Sequence, residues 1–176
     1  MQHTLIALVE NKPGVLNRVA SLFRRRNFNI ESLNVGRTET PDVSRMTIVM
    51  DSEETDARQV EANLYKLVNV IDVQDVSNQP AVTRDLALIK VKAGPERRAE
   101  IANLASIFRG RIVDVAPDSV IVEITGTEDK IESLLELLSP LGILEMVRTG
   151  QVAMMRGSAL GVRHTPGANG HHRIGI

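Results

Sequence analysis

The chain has 176 residues, of which 43% are apolar and 24% charged, so it can form a packed core and is not expected to be disordered. Its formal net charge of −1 and its 2% of aromatic residues argue against nucleic-acid binding. Cysteine is absent, which excludes thiol nucleophiles, disulfides and cysteine-ligated metals and favours the cytoplasm. No signal peptide or bilayer-spanning apolar run is found, so we expect no membrane association.

Residues 1–78 carry the element order of one small α+β domain. A short apolar run typical of a buried strand ends at Pro13 and Gly14, and an amphipathic helix stripe follows. Two alternating segments, a second helix stripe and a last strand complete the order strand, helix, strand, strand, helix, strand, which is that of the ferredoxin-like fold. The strands are predicted at residues 4–9, 27–38, 44–51 and 70–76.

The same order returns in residues 85–158, after a segment at 79–84 that we interpret as a linker. Residues 105–109 (ASIFR) repeat the pattern of residues 20–24 (ASLFR), which supports two units of one topology. Thr127 is predicted to cap the last helix. The strands of this unit are predicted at residues 86–91, 111–115, 120–125 and 143–147.

Residues 159–176 contain several glycines and no apolar period, and we predict a flexible tail. The sequence as a whole therefore predicts an α+β protein with two tandem ferredoxin-like units followed by this tail.

No residue pattern indicates catalysis or metal binding. Within the two predicted units the only histidine is His3; the remaining histidines belong to the tail. The acidic residues occupy helix positions that a solvated surface explains. We therefore predict no catalytic residues and no metal site.

The loop of residues 11–16 (NKPGVL) is the strongest candidate for a binding site. It joins a buried strand to a helix N-terminus, where free N–H groups and the helix dipole favour a carboxylate or phosphate. Gly14 would let a ligand approach the backbone, and Asn11 can both donate and accept hydrogen bonds. A purely structural alternative is equally open: Asn11 caps the helix and Gly14 turns the chain.

A second asparagine, Asn29, lies beside Ile30 after the first helix. In a split βαβ unit the strand containing Ile30 is not adjacent to the first strand, so a pocket that uses both segments could need two copies of the chain. The second unit lacks this combination, because residues 93–96 (AGPE) contain no asparagine and Glu96 would repel a carboxylate.

Residues 8–19 (LVENKPGVLNRV) and 26–33 (RNFNIESL) resemble an ACT domain, and in particular the small regulatory subunits of acetolactate synthase. The resemblance covers residues 1 to about 158. Further segments that fit the same family are residues 44–48 (SRMTI), 107–115 (IFRGRIVDV) and 153–157 (AMMRG).

The resemblance implies a homodimer, formed through ACT domains, that binds a branched-chain amino acid, usually valine. It also implies that the chain has no active site or cofactor. It would activate, and confer feedback inhibition on, a separate catalytic subunit that uses thiamine diphosphate, magnesium and FAD. The resemblance also implies that feedback behaviour is tuned on the strand that contains Asn34 and Gly36. The effector contacts carried over by the resemblance are Asn11, Gly14, Val15, Leu16, Asn29 and Ile30.

Two other functions are compatible with parts of the sequence. One is an ACT-type amino-acid sensor for another enzyme or for transcription, although no helix-turn-helix pattern accompanies the near-neutral charge. The other is a small phosphate-ester or acyl-phosphate hydrolase that uses Gly14 and Arg18 as an anion cradle, although the sequence offers it neither a nucleophile nor a base.

We predict that deleting residues 161–176 leaves the melting temperature within about 2 °C of the full chain, because a segment without apolar periodicity buries little surface. Stimulation of the catalytic partner should also persist. Thermal unfolding and holoenzyme assays of the truncated and full chains check this, and a fall of several degrees would contradict it.

Overall fold

The structure is a computed structural model that describes residues 2–51 and 54–157. The predicted tail at 159–176 lies outside the described residues. The first unit comprises β1 (Gln2–Glu10), α1 (Val15–Arg25), β2 (Ile30–Arg37), β3 (Val43–Asp51), α2 (Glu54–Leu64) and β4 (Val70–Asp75). The second comprises β5 (Ala81–Lys92), α3 (Arg98–Ile107), β6 (Arg111–Val115), β7 (Ser119–Gly126), α4 (Glu128–Leu138), β8 (Ile143–Arg148) and β9 (Val152–Met155). The prediction of two tandem ferredoxin-like units is confirmed.

The first sheet is antiparallel, with strand order β2-β3-β1-β4. Its central strand β1 is covered on both faces, which explains why the sequence there is continuously apolar rather than alternating. Leu5, Ala7 and Val9 face α1 and α2 and belong to the core of this unit. Ile6, on the opposite face, packs against Ala153 of β9.

The second unit repeats this topology, with strand order β6-β7-β5-β8, and has a separate core under α3 and α4. Helix α4 buries Ile131, Leu134 and Leu138, which lie on one face at helical spacing. Thr127 occupies the N-cap position as predicted, but its side chain makes no capping hydrogen bond.

The segment interpreted as a linker at 79–84 differs from that prediction. Residues 81–84 are the first part of β5 and pair with β9, which lies beyond β8 along the same edge of β5. The sequence did not indicate this pairing, because β9 has only four residues and its partner lies about 70 positions earlier. The β5–β9 ribbon therefore extends from the second unit across the outer face of the first sheet.

We predict that Phe23→Ala lowers the free energy of unfolding of the first unit by about 3–5 kcal/mol, the usual cost of truncating a buried Phe. Phe23 is 2% exposed and packs edge-to-face against Phe28, with ring centroids 6.3 Å apart. Denaturant unfolding is the measurement. Val68→Ala is the control because Val68 is 86% exposed; equal effects of the two changes would contradict the assigned core.

Candidate functional site

Gly14 forms the N-cap of α1 and has a φ of 83°, a left-handed conformation that strains residues with a Cβ. No side chain caps this helix, and its first turn contains no acidic residue. The first bond of the helix runs from the Arg18 N–H to the Gly14 carbonyl, 3.1 Å. The N–H groups of Leu16 and Asn17 lie before this bond in the chain and have no carbonyl partner within the helix. This end of α1 therefore offers hydrogen-bond donors and the positive end of the helix dipole to a ligand.

Asn11 does not cap α1, so the structural alternative for this residue is wrong. Its backbone N–H donates to the carbonyl of Asp42, 2.8 Å away, and its side-chain amide donates to the carbonyl of Pro41, 3.4 Å away. Both contacts attach the loop to the β2–β3 connection. The interpretation that Gly14 turns the chain is supported by its φ, and it is compatible with a binding role.

Charged and amide side chains form a hydrogen-bonded rim beside this helix end. Lys12 Nζ lies 2.5 Å from Glu10 Oε2, and the Asn69 amide donates to the same oxygen at 3.3 Å. The hydrogen bond from Lys12, and then that from Asn69, holds the pKa of Glu10 below its usual value. Arg18 donates to Asn69 Oδ1 at 2.5 Å. Sequence reasoning missed Asn69, because no local pattern links it to residues more than 50 positions earlier.

The two apolar residues of the loop have different environments. Val15 is 5% exposed and packs in the core, so only its backbone could face a ligand. The side chain of Leu16 is 46% exposed, and that of Val35, on the edge strand β2, is 41% exposed. These side chains leave an apolar surface on the outside of the first unit.

Asn29 and Ile30 lie at the other end of the sheet from the loop. Ile30 pairs with Met50, which pairs with His3 near the start of β1, whereas Asn11 directly follows the end of β1. Seven residues of β1 separate the two levels, about 23 Å at the rise of a strand. Within one chain the structure therefore brings Asn11, Gly14, Val15 and Leu16 together and keeps Asn29 and Ile30 away from them.

The equivalent turn of the second unit is closed. The carboxylate oxygens of Glu96 lie 2.6 and 2.7 Å from the position that a Cβ on Gly94 would occupy. A bound carboxylate there would meet both steric obstruction and like charge. In the part of the chain that the structure describes, no three His, Asp or Glu side chains form a metal-binding group. None of the described helices could cross a membrane.

A ferredoxin-like unit with a glycine turn and an open helix N-terminus after its first strand agrees with the ACT domain that the sequence resembles. In agreement, residues 5–72 match the family described as "AHAS small subunit-like ACT domain", and residues 84–157 match "Small subunit of acetolactate synthase". The chain belongs to the acetolactate synthase small subunit family, so the resemblance noted from its sequence is confirmed.

Relatives and a solved structure agree over most of the chain. The probable acetolactate synthase small subunit of Archaeoglobus fulgidus is 54% identical over 158 residues, which cover 90% of this chain and 99% of the relative. The acetolactate synthase small subunit of Bacillus subtilis is 47% identical over 90% of this chain and 92% of its own. The crystal structure of the Thermotoga maritima small subunit superposes with a TM-score of 0.84 at 44% identity, covering 89% of this chain and 98% of that one.

Proposed function

We propose that this chain is a valine-responsive regulatory subunit: it binds a branched-chain amino acid, activates a separate acetolactate synthase catalytic subunit and confers feedback inhibition on it. The observation that carries the proposal is the open N-terminus of α1 at Gly14, combined with membership in this family. The predicted contacts Asn29 and Ile30 complete the site from a second copy of the chain.

The chemistry of the loop suits the backbone of an amino acid. The carboxylate would accept hydrogen bonds from the N–H groups of Gly14 and Leu16, where the helix dipole also favours it. The Val15 N–H would join them in exchange for its 3.4 Å bond to the Lys12 carbonyl. The amides of Asn11 and Asn29 can accept from the ammonium or donate to the carboxylate. Apolar groups for a branched side chain are available at Leu16 and Ile30.

A twofold dimer would bring the two halves of the site together. Strand β2 is an edge of the first sheet, and unpaired edges favour pairing with another strand. Antiparallel pairing of β2 with its copy would set the start of one strand, at Asn29, beside the end of the other. The end of β2 lies at the level of Val43 and of the loop, since Val43 pairs with Glu10. Two equivalent sites would result, each with the loop of one copy and Asn29 of the other.

The catalytic chemistry belongs, in this proposal, to the partner. The relatives are named as small subunits, which supports a separate catalytic subunit. The family resemblance assigns thiamine diphosphate, magnesium and FAD to that partner, and no cofactor to this chain. We place the complex in the cytoplasm, in agreement with the absence of cysteine.

Gly14→Asp should abolish inhibition by valine, and Gly14→Asn should weaken it less, because either side chain can obstruct or cap the helix end but only Asp adds a charge. Asn and Asp have nearly the same size and tolerate a positive φ comparably, so the pair isolates the charge. A carboxylate opposite the bound carboxylate and the loss of one charge-assisted hydrogen bond should weaken binding about ten- to a hundredfold. Calorimetric titration of valine and holoenzyme activity against valine concentration are the measurements. Equal inhibition curves for Gly14→Asp and wild type would overturn the site.

A mixing experiment tests the two-copy geometry. Homodimers of Gly14→Asp and of Asn29→Ala should each bind valine weakly. After subunit exchange, a mixed dimer has one site with both changes and one with neither, so about one intact site per mixed dimer should return. Titration of the mixture against each parent measures it. If both halves of the site came from one chain, mixing would restore nothing.

A further inference from the structure

The second unit contacts the first on the outer face of β2, β3 and β1, opposite the helices. We call this contact the seam; in the first unit it consists of Ser32, Asn34 and Arg45, and in the second of residues 149–153. Three hydrogen bonds cross the seam: Asn34 Nδ2 to the Thr149 carbonyl at 3.2 Å, the Gln151 N–H to Ser32 Oγ at 3.2 Å, and Arg45 Nη2 to the Ala153 carbonyl at 2.6 Å.

Gly150 is required at the seam for two independent reasons. Its φ is +80°, which disfavours any residue with a Cβ. In addition, a Cβ on Gly150 would lie 2.8 Å from Ser32 Oγ and 3.4 Å from Ser32 Cβ. Ser32 could give way only by moving the hydroxyl that accepts the Gln151 hydrogen bond. The close approach of the two units at this point therefore depends on the absence of a side chain.

The seam lies next to the predicted effector end of β2. Ile30 is a predicted effector contact, and Ser32 follows two residues later. Between them, at Glu31, the register of β2 against β3 shifts by one residue, which marks a β-bulge. Bulges interrupt the ladder and let a strand change its course locally. A displacement at Ile30 can therefore move Ser32 without unpairing the remainder of β2.

The seam consists of polar contacts except at Ala153, which packs against Ile6. A cavity of about 350 Å³ lies beside it, with walls from both units that include Glu31, Leu33, Glu128 and Arg148. Contacts of this kind between domains permit relative movement more readily than large apolar interfaces do. On the other side of the seam, Thr149 is attached to β5 by its N–H to the Leu86 carbonyl, 3.0 Å. A movement of Thr149 would therefore also displace β5, the central strand of the second sheet.

We propose that the seam is the coupling element of the regulatory chain: effector binding at Ile30 displaces Ser32 and Asn34, and residues 149–151 transmit the displacement to the second unit. The inference rests on the proposed function, because it assumes an effector at the Asn29–Ile30 end of β2. Ser32 and Gly150 are positioning residues in this scheme and do not touch the effector.

The test compares Gly150→Ala with Gly157→Ala in the holoenzyme. Gly157 also has a positive φ, +65°, but nothing lies within 4 Å of its would-be Cβ, so it controls for backbone strain. For Gly150→Ala we expect valine affinity of the isolated subunit and stimulation of the partner within about twofold of wild type. Inhibition at saturating valine should be largely lost, because only the coupling between sites is removed. Gly157→Ala should be inhibited like wild type.

Ser32→Ala and the double variant identify the contact itself. Ser32→Ala removes the hydroxyl that meets the new Cβ, but the strain of the positive φ at position 150 remains. Relative to Ser32→Ala, the double variant should therefore lose no more inhibition than Gly157→Ala loses relative to wild type. Such non-additivity is expected of residues that act through one contact. Independent, additive effects of the two changes would overturn the assignment.

Hydrogen exchange gives a readout that does not depend on activity. In the wild-type complex, valine should change the exchange of amides in residues 149–155, and Gly150→Ala should abolish that change. Unchanged exchange in wild type, normal inhibition of Gly150→Ala, or loss of valine binding by this variant would each overturn the coupling role. A wild-type holoenzyme that valine does not inhibit would instead overturn the proposed function, and the inference with it.

Discussion

The geometry of the first unit follows from one constraint, the crossover from β1 over the sheet to β2 through α1. β1 and β2 are both antiparallel to β3 and are therefore parallel to each other. Parallel strands cannot be joined by a tight turn, so the chain returns along the sheet as an 11-residue helix. The start of that helix and the start of β2 must then lie at opposite ends of the sheet. Every residue predicted to contact the effector belongs to one of these two ends, which is why the proposed site is split between copies.

The same constraint gives the helix end its chemistry. A sharp change of direction after β1 needs a positive φ at Gly14, and a glycine there has no side chain with which to cap α1. Asn11, which could have acted as a cap from a nearby position, instead holds the loop to Pro41. The backbone donors remain available, and the rim residues around them are already paired: Lys12 with Glu10, and Arg18 with Asn69. A ligand carboxylate would therefore face N–H groups beside the guanidinium of Arg18, whose charge the neutral amide of Asn69 does not cancel.

The structural features that could be predicted from the sequence are those that local periodicity encodes. The apolar run of β1, the start of α4 at Thr127 and the turn at Gly14 are each encoded within about ten residues, and the structure has each within a few positions of its prediction. Interactions between distant segments left no such signal. The four residues of β9 are too few for a period, and Pro80 indicated a boundary although β5 begins directly after it. Asn69 in the rim and Ser32 beside Gly150 likewise have no sequence pattern that could have identified them.

The two units have separate cores. Among the described residues, a small third cluster of Ile6, Val76 and Ala153 and the hydrogen bonds of the seam join them. Each unit can therefore keep its own packing while their relation changes, which a single continuous core would resist. Arg45 fits this arrangement, because burial lowers the pKa of its guanidinium and its bond to the Ala153 carbonyl compensates part of that desolvation. Losing such a bond is costly unless the two surfaces separate enough for water to replace it. The contact therefore favours discrete arrangements of the two units over gradual sliding, which is the property that the proposed coupling requires.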